Sequence, residues 1–140
     1  MAKLKKTLPK EFLDLCNTHS NVWTPEEIDE CKQLLSGCEP DATPRGGKTT
    51  SLHLRNIPIE IVAWQIGRGA DVNTPDTYGT PLFTHAGSGR YDVCKLLIDN
   101  GADVSALDYA DKTALFTAAD RGQVEVVKLL LEKGANPDHR

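Results

Sequence analysis

Residues 41–50 read Asp-Ala-Thr-Pro-Arg-Gly-Gly-Lys-Thr-Thr. From Ala42 to Thr49 the order of residue types fits the nucleotide-binding P-loop, with Ala42 in the first glycine position and Gly47-Lys48-Thr49 closing the pattern. A P-loop works because a buried strand precedes it and a helix follows it, so that backbone N–H groups converge on phosphate oxygens. The residues before this stretch hold Pro40 and Pro44 and no buried-strand run, and Pro58 leaves room for a helix of only about seven residues after it. No later apolar strand offers an acidic partner for a magnesium ion. Nucleotide binding through 42–49 is therefore kept as a remote alternative.

The other chemistry-bearing residues are scattered. His19, His53, His85 and His139 form no i, i+4 pair, and Cys16, Cys31, Cys38 and Cys94 form no Cys-x-x-Cys or zinc-spaced cluster. The thiols read as reduced structural residues, with Cys94 a small apolar filler on a helix. No Gly-x-Ser-x-Gly or similar nucleophile motif occurs. No catalytic, cofactor-binding or metal-binding residue is expected. His85 reads as a partly exposed polar substitution, Trp64 as a core residue and Glu26–Glu30 as a solvated acidic first turn.

Composition supports a folded binding protein. The chain has 140 residues, 39% of them apolar and 26% charged, with net charge −4. That profile opposes disorder, and an acidic chain poor in aromatics lacks the footprint of a nucleic-acid binder. No apolar run has signal-peptide or membrane-span length, so the expectation is a cytoplasmic location without membrane contact. Lys3, Lys5 and Lys6 read as a frayed, solvated terminus.

A repeat organises the chain. The segments beginning at Thr80 and Thr113 match at an offset of 33 residues through threonine, Leu-Phe, glycine, Val-x-Lys-Leu-Leu and a second glycine. Weaker copies begin at Thr50 and Thr24. The terminal glycines Gly37, Gly69, Gly101 and Gly134 are separated by 32, 32 and 33 residues. Each unit reads as two short helices and a turn. In the last unit Thr113 caps a helix that buries Ala114, Leu115, Ala118 and Ala119. A second helix, 124–132, carries Val126, Val127, Leu130 and Leu131 at helical spacing, and Gly134 supplies the left-handed residue that ends it. One unit cannot bury both helices, whereas stacked units share a core. Thr24, Pro25 and Glu27 form a capping box with proline at the first helical position, and Trp23 and Ile28 occupy the staple positions. Before it, 8–19 reads as a short helix with Phe12, Leu13, Leu15 and Cys16 on its apolar side.

With Thr80-Pro81-Leu82, the run Gly122–Asn136 and Gly69-Ala-Asp-Val-Asn73, the sequence resembles the ankyrin repeat family. The resemblance is specific over 50–140 and weaker over 7–49. It implies an all-α solenoid of helix-turn-helix units joined by β-turn fingers. It implies one domain over 1–140, with repeats at about 7–41 (degenerate, cap-like), 42–73, 74–106 and 107–140. In that register 42–47 becomes an inter-repeat turn with one extra residue. The family's motif histidine is kept at His53, while Phe83 and Phe116 replace it and substitute packing for a histidine–threonine network. The turn from Asp76 to Thr80 is one residue short, and the helix after Thr50 about two short.

The resemblance implies a non-catalytic module that binds another protein through turn tips and first-helix ends, as an adaptor or an inhibitor. Carried over, the contact positions are Arg45, Lys48, Thr77, Tyr78, Tyr109 and Lys112 from the turns, with Gly87, Ser88, Asp120 and Arg121 from the helix ends. The strip is neutral to basic and suits a partner with an acidic patch. Tyr78 and Tyr109 stand at matching turn tips, where exposed tyrosine is a good anchor. After Gly134 no polar capping unit is visible, so the outer face of Ala118, Val127 and Leu131 is expected to be partly exposed. That leaves two alternatives: a piece of a longer array, or a self-associating scaffold that is monomeric or weakly dimeric through this end.

Overall fold

The computed structural model describes residues 4–18, 22–43 and 49–137. The chain divides into two compact units, Met1–Asp71 and Val72–Arg140. Among the described residues lie seven α-helices and one short parallel sheet.

In the first unit, strand β1 (Lys5–Thr7) pairs in parallel with β2 (Cys38–Thr43), through an irregular register in which Lys5 opposes Cys38 and Thr7 opposes Thr43. The lysine-rich start is thus a paired strand from Lys5 onward, where the sequence suggested a frayed end. Leu8 continues the tie by donating its N–H to the Thr43 carbonyl (2.9 Å), and its side chain is buried. Helix α1 (Lys10–Thr18) follows, burying Phe12 and Cys16. Helix α2 (Pro25–Ser36) starts as its sequence dictates: the Thr24 hydroxyl accepts from the Glu27 N–H (3.2 Å), and the Glu27 carboxylate accepts from the Thr24 N–H (2.8 Å). Both bonds satisfy donors that a helix start leaves open. Helix α2 ends at Gly37, whose φ of −86° is not left-handed.

A strand at Cys38–Thr43 also corrects the expectation of irregular chain there: Pro40 does not prevent pairing along one side of an edge strand. After it, Ser51–His53 forms a single 3₁₀ turn in place of the expected short helix. His53 Nδ1 accepts from the Thr50 N–H (3.0 Å) and lies 2.9 Å from its hydroxyl, so the retained motif histidine does make its threonine contact. Helix α3 (Ile59–Gly67) completes the unit, burying Ile61, Val62 and Gln65.

The second unit is two helix pairs. Helices α4 (Pro81–Gly87) and α5 (Tyr91–Asp99) form one; α6 (Ala114–Asp120) and α7 (Val124–Glu132) form the other. Helix α6 packs on α4, and α7 on α5. The close approach depends on glycines: a Cβ on Gly87 would stand 3.1 Å from Thr117 Cγ2, and one on Gly89 would collide with the Gln123 amide. The core contains Leu82, Phe83, Ala86, Val93, Leu97, Leu115, Ala118, Val126 and Leu130. Ala119, expected inside, lies exposed, and Leu131 is exposed as the outer-face expectation had it. His85, expected partly exposed, is fully buried.

The second helices of successive units end alike. Gly69, Gly101 and Gly134 take φ of 99°, 95° and 91°. In each case the next residue returns its N–H across the turn: Ala70 to Gln65, Ala102 to Leu97 and Ala135 to Leu130, all within 2.9–3.0 Å. These bonds satisfy the last carbonyls of the helix.

Candidate functional site

The turn tips of the second unit are built by aspartates. Asp76 Oδ1 accepts from the N–H groups of Tyr78 (2.8 Å) and Gly79 (3.2 Å), closing a turn that also pairs the Asp76 N–H with the Gly79 carbonyl. Asp108 repeats the device one residue longer, accepting from Ala110 (2.8 Å) and Lys112 (3.0 Å) while its own N–H meets the Lys112 carbonyl. The extra residue is absorbed by Asp111 at φ 58°, a left-handed conformation that aspartate tolerates better than most residues. Gly79 cannot be exchanged for such a residue, because a Cβ there would stand 2.9 Å from the Phe83 ring.

Each aspartate fixes a turn and thereby holds a tyrosine outward. Tyr78 and Tyr109 are 68% and 75% exposed and meet each other edge to face, with ring centroids 6.1 Å apart. Each ring packs on the neighbouring turn and still leaves most of its surface exposed. Beside them Lys112 Nζ lies 4.5 Å from the centroid of the Phe116 ring, which is 42% exposed. Phe116 is absent from the contact positions carried over by resemblance. Its signal in the sequence is its place in the last unit, with no further helix pair described to cover it.

The remaining positions divide. Thr77, Asp120 and Arg121 are exposed. Arg121 runs along α4, since a Cβ on Gly87 would lie 3.4 Å from its Cδ. Ser88 is half-buried, and its hydroxyl donates to the Thr84 carbonyl (2.9 Å). Gly87 is buried. Arg45 and Lys48 lie outside the described residues, as do His19 and His139. The outer end face is lined by Val127 and Leu131 as expected, but Ala118 is fully buried and Ala119 stands in its place.

A second polar constellation, in the first unit, has no counterpart in the sequence reading. Buried Gln65 donates from Nε2 to the Ser51 hydroxyl (2.9 Å) and accepts at Oε1 from Arg68 (2.7 Å). Arg68 also donates to the carbonyls of Leu35 (3.2 Å) and Cys38 (2.7 Å), and its guanidinium lies 4.5 Å from the Trp64 ring. Trp64 is accordingly half-buried beneath a cation. These bonds tie helix α3 to Ser51, Leu35 and Cys38, which makes the cluster a clamp.

Three of the four buried thiols are held protonated. Burial pushes Cys16 up to about 12, with a further push from Cys31; burial and then Glu30 and Glu27 push Cys31 up to about 11; burial pushes Cys94 up to about 12. A thiol held protonated at neutral pH is inert. Among the described residues no three His, Cys, Asp or Glu side chains could hold a metal ion, and no helix is long and apolar enough to cross a membrane.

Paired helices, left-handed glycines at a regular interval and aspartate-built turns are thus in place. The family model for ankyrin repeats (3 copies) matches residues 53–140. The chain belongs to the ankyrin repeat family. Its fold is of the all-α ankyrin-repeat solenoid class, with the short β1–β2 sheet added in the first unit. It is similar to the RelA-associated inhibitor of Mus musculus, at 31% identity over 88 residues. That alignment covers 61% of this chain and 11% of the relative, so the chain spans only about a tenth of that protein's length. Ankyrin repeats indicate a protein-interaction module.

Proposed function

We propose that this ankyrin repeat chain binds a partner protein through the turn tips and first-helix ends of its second unit. The observation that carries the reading is the Tyr78–Tyr109 pair, two largely exposed rings fixed by Asx turns and by each other. A rigid aromatic anchor loses little freedom on binding and offers a large contact area. Lys112 and Arg121 give the strip a basic character, and Arg45 and Lys48 extend it in sequence. The partner then presents an acidic, partly apolar surface. Thr77, Ser88 and Asp120 contribute as a polar rim, Ser88 least, because its hydroxyl is already engaged.

Of the two modes, adaptor and inhibitor, the inhibitor is favoured by the similarity to the RelA-associated inhibitor. The activity is binding alone, with no bound cofactor and no reaction. The location that fits is the cytoplasm, where four buried free thiols persist without oxidation.

The test is an affinity capture with wild type and with Tyr78→Ala/Tyr109→Ala, followed by titration of the captured partner. Loss of about 2 kcal/mol or more, roughly thirtyfold in affinity, is expected for a paired hot spot. Unchanged affinity in a folded double variant overturns the reading.

A further inference from the structure

Two turn tips of the second unit carry the same oxidisable group in contact with each other. Tyr78 and Tyr109 stand 31 residues apart in sequence. Their rings nevertheless meet edge to face, with centroids 6.1 Å apart and planes at 76°. That separation lies inside the range of about 4.5–7 Å over which aromatic rings touch. Both rings also stay open to solvent, at 68% and 75% exposure. The backbone beneath each is fixed. Asp76 Oδ1 accepts from the Tyr78 and Gly79 N–H groups, and Asp108 Oδ1 accepts from those of Ala110 and Lys112. Exposed side chains reorient within picoseconds to nanoseconds, so the rings sample many mutual orientations while the turns hold them together.

Phenols in such contact have a specific chemistry. A one-electron oxidant takes one electron and one proton from each phenol and leaves a phenoxyl radical with spin density on Cε, next to the oxygen-bearing carbon. Two such radicals join through a Cε–Cε bond. Each joined carbon then releases its hydrogen as a proton, and each oxygen takes one back, which restores both phenols. The two rings together lose two electrons and two protons. One hydrogen peroxide molecule, acting through a haem peroxidase, accepts them and becomes two water molecules. Between separate molecules the joining step needs an encounter. Between Tyr78 and Tyr109 the partner ring is already in place, so the step is intramolecular and its entropy is prepaid.

We propose that Tyr78 and Tyr109 form an oxidative coupling site, at which a haem peroxidase with hydrogen peroxide joins the two rings into an intrachain dityrosine. The bond bridges the turns that precede α4 and α6 and closes a loop containing α4 and α5. Closing that loop restricts the unfolded chain far more than the folded one, so the link staples two successive helix pairs. The coupling goes beyond partner binding and does not depend on it.

The test treats the full chain with a haem peroxidase and hydrogen peroxide. The expected product runs as a monomer on a denaturing gel, is lighter by the mass of two hydrogens, shows dityrosine fluorescence and yields one cross-linked peptide pair holding Tyr78 and Tyr109. Its yield per chain should persist on about tenfold dilution, as an intramolecular step requires. The coupled chain should melt higher by about 5 °C or more. Tyr78→Phe and Tyr109→Phe should each abolish the intrachain product; both rings are exposed, so the variants fold, as circular dichroism will check. Tyr91 opens α5 and is 36% exposed, and Tyr91→Phe should leave the product unchanged. No coupling, coupling only in cross-linked dimers, or an intrachain link that survives either Phe substitution at the tips overturns the proposal. A coupled chain that melts no higher overturns the staple. No partner protein enters the experiment, so failure here leaves the tyrosine binding test undisturbed.

Discussion

Helices α3 and α5 stand at matching places in the two units and solve the same problem differently. Counted from their terminal glycines, Gln65 in α3 corresponds to Leu97 in α5 and Leu130 in α7. All three side chains are fully buried, and all three carbonyls accept the same returning alanine N–H. In α5 and α7 the side chain fills the core between helices. In α3 it holds a chain of hydrogen bonds from Ser51 through Arg68 to the carbonyls of Leu35 and Cys38. The difference follows from what each helix faces. Helices α5 and α7 belong to a regular stack in which apolar side chains meet. Helix α3 faces a 3₁₀ turn and the α2–β2 junction, where Gly37 lacks the left-handed conformation and main-chain carbonyls point inward. Buried carbonyls need donors, and leucine has none.

The largest effect expected from this contrast lies in the apolar unit. Leu97→Ala removes a fully buried leucine from between two helix pairs and should cost about 3–4 kcal/mol, since a tight stack collapses poorly around a cavity. Urea denaturation read together with hydrogen exchange will place the loss in α4–α7. If exchange rises equally in the first unit, the two regions are not energetically separate and the comparison fails.

Next in size is Arg68→Ala. It takes the Arg68 donor from the Gln65 oxygen and the Cys38 carbonyl, and one of two donors from the Leu35 carbonyl, which keeps the Gly37 N–H, at a cost of about 2–3 kcal/mol. Arg68→Lys should recover little of that. An ammonium is a point charge, whereas the guanidinium fork reaches three acceptors at once and lies flat on Trp64. Full rescue by lysine in the same denaturation experiment would reduce the clamp to a single contact.

How much of this could be read beforehand varied with the physics. The second unit was legible because its signals are local: proline after threonine at a helix start, glycine at a helix end, and leucine at helical spacing. The capping box at Thr24 and the left-handed Gly101 and Gly134 follow the same logic. The first unit was less legible because its stabilising contacts join distant segments. Nothing near Lys5 announces a partner at Cys38, and nothing near Arg68 announces the Leu35 carbonyl. Burial of His85 was misjudged because a histidine in an alanine position says nothing of which way its ring turns. The exposure of the tyrosine tips was legible because nothing in the fold demands an aromatic there. Phe116 was missed because its exposure depends on what lies beyond the last helix pair.

The smallest effects concern three threonines that start helices in the same sequence role. Thr24 closes both bonds of its capping box, and Thr24→Ala should cost about 1 kcal/mol. Thr113 accepts one longer bond, 3.3 Å from the Phe116 N–H, and its loss should cost about half as much. Thr80 is the odd member: its buried hydroxyl has no hydrogen-bond partner among the described residues. Replacing it with an isosteric methyl removes a polar group that burial has stripped of water without compensation. Thr80→Val should therefore be neutral or stabilising by up to about 1 kcal/mol, whereas Thr113→Val should destabilise. Parallel melting curves of the two valine variants will check the sign. Destabilisation of similar size in both would mean that Thr80, too, caps its helix in solution.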